Sequence, residues 1–172
     1  MHPPVDATRS LPALREALRW ATPGEQVLAA EQLGLLGDGT ATGALESAVA
    51  DQERPLVVRR AAATALGRIG WTRSSHPLSQ VLAHSVDPQL RCAAAEALGR
   101  IGDPAALPAL TAGLVSPAAE VRRTCAGALS RLGAEGREWL SVLAAGGGVA
   151  AEAAREALEV LPLPARDHVI SR

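Results

Sequence analysis

Apolar and small residues recur along this chain in one phrase that is repeated at nearly constant spacing. The phrase reads VRRAAATALGRIG at 58–70, LRCAAAEALGRIG at 90–102 and VRRTCAGALSRLG at 121–133, with weaker copies at 25–37 and 150–161. In the first of these, Val58, Ala62, Ala65, Leu66 and Ile69 are spaced as one face of an α-helix. The leucine common to all copies recurs at intervals of 33, 32, 31 and 29 residues. Self-similarity at such a period predicts a stack of repeats, each built as one small unit.

Each repeat is predicted to hold two helices. A second amphipathic stretch precedes each copy of the phrase, at 11–20, 44–50, 78–85, 105–114 and 137–143, with Pro, Gly or Asp-Pro breakers between the two. Gly70, Gly102 and Gly133 follow the phrase where a helix end favours a left-handed residue. Asp87 and Ser116 each precede a proline and are predicted to cap helix N-termini. The pattern therefore predicts five hairpins, ten helices and no strand, with 1–10 as an N-terminal segment, 11–161 as the repeat unit and 162–172 as a tail.

The phrase D-P…V-R-x-x-A-x-x-A-L-G-x-I-G resembles the short HEAT-like repeat of bacterial proteins, the type found in phycobilin lyases. Residues 103–133 match it best, and the resemblance covers about 11–161. It implies an all-α, right-handed α-solenoid of about five HEAT-like hairpins, with the second helices lining a concave surface. In this family the first arginine of each copy, here Arg59, Arg91 and Arg122, implies a polar ladder that links one repeat to the next. Repeats of this type specify a fold and leave the activity open.

Composition narrows the function classes only slightly. The formal net charge is −1 and aromatic residues make up 2%, so a strong basic track with stacking aromatics for nucleic acid is not expected. All 17 basic residues are Arg, and Lys, Asn, Phe and Tyr are absent, which indicates a GC-rich, bacterial genome. Arginine abundance alone is therefore weak evidence for a binding site. No apolar run approaches the about 18 residues of a membrane span, and the N-terminus lacks the apolar core of a secretory signal, so a cytoplasmic protein is expected.

The aligned second helices predict where a partner would bind. Exposed positions of the middle repeats bring five arginines and a glutamate to the concave face: Arg60, Arg68, Arg100, Arg123, Arg131 and Glu96. Such a band could hold carboxylates or phosphates through forked hydrogen bonds, or it could be an ordinary solvated face. In the first repeat, Val27 and Leu35 replace the arginines and form an apolar lip or dimer contact, unless the N-terminal segment covers them. Trp20, Trp71 and Trp139 are expected to be wedges between repeats rather than interface anchors.

Chemistry-bearing motifs are scarce. The four histidines are scattered and no phosphate-binding loop, nucleophile elbow or His-Glu dipeptide occurs, so neither a metal site nor a cofactor is expected. Two cysteines do not form a disulfide framework; Cys92 should be partly exposed and Cys125 buried. A minor alternative is a reactive Cys92, with its thiol pKa lowered by Arg60 and Arg123.

These observations predict a non-enzymatic adaptor or scaffold that binds another protein or a peptide, acidic if the arginines hold it, along the concave face. Solenoids suit this task because a curved stack offers an extended surface. The alternative is an accessory protein similar to phycobilin lyases, holding a tetrapyrrole or another anionic small molecule. Nucleic-acid binding is a weaker third hypothesis. Neither the identity of the partner nor the oligomeric state follows from the sequence.

Overall fold

The computed structural model describes residues 10–160, and its helices alternate in two layers. The first helices of the hairpins are α1 (Leu11–Trp20), α3 (Thr42–Ala50), α5 (Ser75–His84), α7 (Leu107–Gly113) and α9 (Ala134–Ala144). The second helices are α2 (Pro23–Leu36), α4 (Leu56–Ile69), α6 (Pro88–Ile101), α8 (Ala119–Arg131) and α10 (Val149–Val160). Short 3-10 turns precede α3, α5 and α7. Within 10–160 there are ten α-helices and no strand, which confirms the predicted α-solenoid; the N-terminal segment and the tail lie outside the described residues.

The second helices stack directly on one another through glycine and alanine. A Cβ atom built on Gly67 of α4 would lie 2.6 Å from the Cα of Ala97 in α6. Gly34 and Gly99 meet the next helix in the same way, at 2.8 Å from the Cα atoms of Ala65 and Ala128. The first helices touch one another much less. Tighter packing in the second layer than in the first favours curvature of the stack with the second helices on the concave side, and their exposed face is called the concave surface below.

Leucines and alanines fill the space between the layers. The repeated leucine is fully buried in α2, α4, α6 and α8, where Leu33, Leu66, Leu98 and Leu129 have no exposed surface. Trp71 confirms the wedge prediction, because its ring covers Gly39 of the preceding repeat so closely that a Cβ there would overlap it. Trp20 contradicts that prediction, since 80% of its surface is exposed at the end of α1.

Two of the predicted caps are placed differently. Asp87 does cap α6, accepting a hydrogen bond from the Leu90 N–H at 2.6 Å, and Gly70 and Gly102 adopt the predicted left-handed conformation. Gly133 has φ 83° and ψ −144°, which lies outside that region, and it precedes α9 as its N-cap. Ser116 does not cap α8, whose N-cap is Ala118. The Ser116 hydroxyl is buried instead, where it accepts a hydrogen bond from Arg91 at 3.1 Å.

The repeated arginines link helices mainly within a hairpin. Arg59 Nε donates to the Val49 carbonyl at 2.9 Å and Arg91 Nε to the Leu82 carbonyl at 2.8 Å, in each case in the last turn of the preceding first helix. Those carbonyls have no helical partner, so the guanidinium caps them. Of the two, Arg91 also reaches the next repeat, through Ser116. The predicted ladder between repeats is therefore only partly present. A further link between repeats comes from Arg54, which donates to the Leu18 carbonyl of the first hairpin at 2.6 Å.

Candidate functional site

The concave surface is built from one exposed stripe on each second helix. In α4 the stripe holds Val57, Arg60, Thr64 and Arg68, three or four residues apart, so they follow one face of the helix. The opposite face is buried against the core, and the two faces together make the helix amphipathic. The same stripe occurs one repeat later in α6 and two repeats later in α8. Side chains at matching positions therefore form rows that run along the stack.

The structure exposes all of the candidate polar residues but does not join them into one band. Arg60 lies in a groove of about 540 Å³ that crosses α2, α4, α6 and α8. That groove also holds three carboxylates, from Glu31, Glu96 and Glu120. Arg60 is engaged there, because its guanidinium donates to the Gln89 side chain at 2.5 Å. This part of the concave surface is thus acidic rather than basic.

Arg123 and Arg131 lie in a different cavity, a cleft of about 260 Å³ between α8 and α10. Gly127 forms its floor and Ala153 and Ala157 line the side formed by α10. Neither arginine makes an ion pair or a hydrogen bond with any residue between 10 and 160. The cleft therefore combines two free guanidinium groups with small neighbours.

The row formed by Arg68, Arg100 and Arg131 lies at the C-terminal ends of the helices. Each of the three is in the last turn, where a positive charge is stabilised by the unpaired carbonyls of the helix end. Arg100 also lies 3.9 Å from the carboxylate of Glu96, one turn earlier. In α4 and α8 the corresponding earlier positions are Thr64 and Gly127, so Arg68 and Arg131 lack such a partner. Contacts within the fold, at the helix end and with Glu96, therefore account for the position of Arg100. Arg68 and Arg131 form no ion pair within residues 10–160.

The apolar lip is present only in part. Val27 is half-buried and forms part of the acidic groove, whereas 74% of the Leu35 surface is exposed. Leu36 and Leu28 beside it are also more than half exposed. The N-terminal segment, which was considered as a cover for these leucines, lies outside the described residues. Glu120 and Gln89 were not among the predicted site residues. Glu120 lies one turn before Arg123, and Gln89 lies one turn before Cys92, which lines the same groove, so the helical spacing could have revealed both.

Neither cysteine is activated. Cys92 is half-buried and Cys125 is buried, as predicted. Burial raises the pKa of the Cys92 thiol, and the carboxylates of Glu120 and Glu96 raise it further, while a hydrogen bond with Thr124 opposes them. The hypothesis of a low thiol pKa at Cys92 is therefore wrong, because burial has the largest effect on that pKa and the groups that lower it are Thr124 and Arg91, not Arg60 and Arg123. Burial raises the pKa of Cys125 to about 12.

Two further features of residues 10–160 bear on the site. No three His, Cys, Asp or Glu side chains in this range lie together as a set of metal ligands. None of its helices is both long and apolar enough to cross a membrane.

Comparison with known proteins identifies the family. A family model described as HEAT repeats matches residues 75–161, half of the chain, and a model described as the PBS lyase HEAT-like repeat matches residues 58–84. The chain belongs to the HEAT repeat family. No curated protein sequence matches this HEAT-repeat chain at a significant level.

Solved structures share the fold of this HEAT-repeat chain. Human deoxyhypusine hydroxylase in complex with glycerol is 22% identical, over 88% of this chain and 73% of its own, with a TM-score of 0.58. The complex of CpcE and CpcF of phycocyanin lyase from a Nostoc species is 22% identical, over 84% of this chain and 74% of its own, with a TM-score of 0.57. An engineered protein has the same identity over 84% of this chain and 76% of its own, with a TM-score of 0.54. At this identity the likeness establishes the fold alone.

The prediction that the HEAT-repeat chain is not an enzyme is wrong in its premise. It was based on missing catalytic motifs, but solved structures with this fold include a hydroxylase and a lyase. Stacked helical repeats are therefore compatible with catalysis, because the site is carried by particular side chains and not by the fold.

Proposed function

We propose that this HEAT-repeat protein binds a segment of another protein along the concave surface formed by its second helices. Stacked repeats offer an extended curved surface, which suits a ligand that runs across several repeats. The complex of CpcE and CpcF, which shares the fold, supports a protein as the partner.

One observation carries the proposal: the arginines of the repeat divide into two sets. Arg59 and Arg91 are half-buried and donate to carbonyl oxygens of neighbouring helices, so the fold itself uses them. Arg68, Arg123 and Arg131 are exposed on the concave stripe and bind no residue within 10–160. Exposed arginines also occur on the side of the first helices, at Arg19, Arg73 and Arg137. Arg68, Arg123 and Arg131, by contrast, lie in the rows of matching positions on one face of the second helices and remain available to a single extended partner.

The test compares two sets of arginines that carry equal charge. A partner is first recovered from a lysate with the unaltered protein, and its affinity is measured at two salt concentrations. Replacing Arg68, Arg123 and Arg131 together with Gln should weaken binding and flatten its salt dependence, because exposed charges are screened beyond about 8–10 Å at physiological ionic strength. The matched control replaces Arg19, Arg73 and Arg137 with Gln, which removes the same charge from the side of the first helices.

The control variant should bind normally, and both variants should keep the helical circular dichroism of the unaltered protein. Full binding by the concave variant would contradict the proposal. A loss caused instead by Leu35→Asp would place the interface on the exposed apolar end of α2.

A second candidate function is that of an accessory protein which holds an anionic small molecule or a tetrapyrrole. The match of residues 58–84 to the PBS lyase HEAT-like repeat supports it, as does the cleft at Arg123 and Arg131. Absorbance titration with a tetrapyrrole carrying propionate groups tests this candidate directly. A saturable spectral shift that is lost in Arg131→Gln would favour it over a peptide ligand, and an unchanged spectrum would reject it. An oligonucleotide titration tests the remaining expectation, that nucleic acid does not bind.

A further inference from the structure

The stacking of the second helices loosens between α8 and α10. At the three preceding junctions a glycine lets the next helix approach to backbone contact, at Gly34, Gly67 and Gly99. In α8 the matching residue is Ser130, whose hydroxyl donates to the Gly127 carbonyl at 2.7 Å. Here α10 packs less closely on α8 than the earlier second helices pack on one another. The cleft of about 260 Å³ lies at this looser junction.

Two arginines border the cleft from opposite ends of its floor. Arg123 and Arg131 are eight residues apart on α8, which corresponds to about 12 Å along the helix axis, and Gly127 lies midway. A Cβ atom built on Gly127 would have no neighbour within 4 Å, so the space above it is open. Both guanidinium groups can therefore lean over the same open floor.

These two side chains differ from the arginines next to them in having no partner within residues 10–160. Arg122 donates to the Ser116 carbonyl at 2.8 Å, and Arg100 lies beside Glu96. Guanidinium groups that are not paired within the fold bind carboxylate and phosphate oxygens through two parallel N–H donors. The α10 side of the cleft adds Ala153 and Ala157, which present methyl groups, and one acid, Glu156.

We propose that this cleft binds one oxyanion, a carboxylate or a phosphate, carried on a short apolar stem. Arg123 and Arg131 donate to it from the two ends of the floor, and the stem rests on Ala153 and Ala157. Glu156 opposes the bound anion by charge repulsion and so limits its affinity. The inference rests on the proposed use of the concave surface, and it adds the chemical class of the group that the surface recognises.

The test is an NMR titration of the whole protein that follows the Nε–Hε signals of its arginines. The probes are inorganic phosphate and succinate, which separate a phosphate source from a carboxylate source by their relative affinities. We expect saturable shifts at Arg123 and Arg131, while Arg73 and Arg137 on the side of the first helices shift only with ionic strength. Arg131→Gln should weaken binding by about fivefold, as expected for the loss of one charge-assisted donor in a partly open site.

Two further variants separate a built cleft from general attraction to positive charge. Gly127→Leu keeps every charge and fills the floor, and it should abolish binding; the helix tolerates it because leucine favours helix over glycine and the position is open. Glu156→Gln removes the opposing charge and should strengthen binding by about two- to threefold. Unchanged binding in Gly127→Leu, or equal shifts at all exposed arginines, would overturn the inference.

The two proposals can fail separately. If neither phosphate nor succinate binds, but the Arg68/Arg123/Arg131 variant still loses its protein partner, the oxyanion cleft is refuted and the concave interface stands. If both probes bind as described while that variant keeps its partner, the cleft stands and the proposed interface is refuted.

Discussion

Adding one methyl group at two glycines of the second helices should change stability in opposite directions. Alanine favours a helix interior over glycine by about 1 kcal/mol, so Gly127→Ala, which meets nothing within 4 Å, should stabilise the protein by about 0.5–1 kcal/mol. At Gly67 the same methyl would lie 2.6 Å from the Cα and 2.9 Å from the Cβ of Ala97. The nearest obstacle is backbone, so no side-chain rotation can relieve it and α4 must move away from α6.

Overpacking of this kind costs typically about 1–3 kcal/mol, and the rigid neighbour places Gly67→Ala at the upper end of that range. After subtraction of the helix-propensity gain, we expect a net loss of about 1–2 kcal/mol. For a domain of this size that lowers the melting temperature by about 2–4 °C per kcal/mol, whereas Gly127→Ala should raise it.

Urea unfolding followed by circular dichroism measures both changes against the unaltered protein. Repeat stacks do not always unfold in one step, so the urea midpoint should be compared by a second probe such as tryptophan fluorescence. A Gly67→Ala variant that is as stable as Gly127→Ala would refute the claim that backbone contact at glycine holds the second layer together. Ala97→Gly should not rescue Gly67→Ala, because the Cα of residue 97 remains in place.

Three other predictions concern the core, a helix cap and the cysteines. Leu98→Ala should destabilise by about 2–5 kcal/mol because it empties a fully buried site, while Arg100→Ala should stay within about 0.5 kcal/mol; equal losses in urea unfolding would contradict the assigned helix faces. Asp87→Ala should cost about 0.5–2 kcal/mol in the same assay, because it removes the acceptor of the Leu90 N–H, and an unchanged midpoint would argue against the cap. Since burial raises the pKa of both thiols above that of a free cysteine, a thiol reagent at pH 7–8 should label Cys92 slowly, at a rate that rises with pH, and Cys125 only after unfolding. Labelling of Cys92 at the rate of free cysteine would contradict this.

Local sequence signals predicted most of the helices and part of their caps. The 3.6-residue spacing of apolar positions fixes which face of each helix is buried, so the exposure of Arg60, Arg68 and Arg100 followed from the sequence. Ser116 was misassigned because its position before a proline fits an N-cap, while the folded chain turns its hydroxyl inward to Arg91. That partner is 25 residues away, so no local pattern could reveal it.

The candidate site, too, was predictable in its local features but not in its long-range contacts. The repeat phrase places arginines in rows, but it does not indicate which of them form hydrogen bonds or ion pairs within the fold. Arg60 donates to Gln89 and lines the same groove as three carboxylates only because neighbouring helices bring these residues together. The cleft at Arg123 and Arg131 depends on the looser packing of α10 on α8, which is a property of the stacked pair.

The sequence by itself therefore determined the repeat, the two helices of each hairpin and their buried faces, because these follow from the spacing of residues along a single helix. Only the tertiary structure decided which glycines touch the next repeat, which arginines stay unpaired and where the concave surface changes from acidic to basic. The physical reason is distance along the chain. Contacts between successive second helices join residues about 30 positions apart, as between Gly67 and Ala97, and their geometry is set by how closely two backbones can approach.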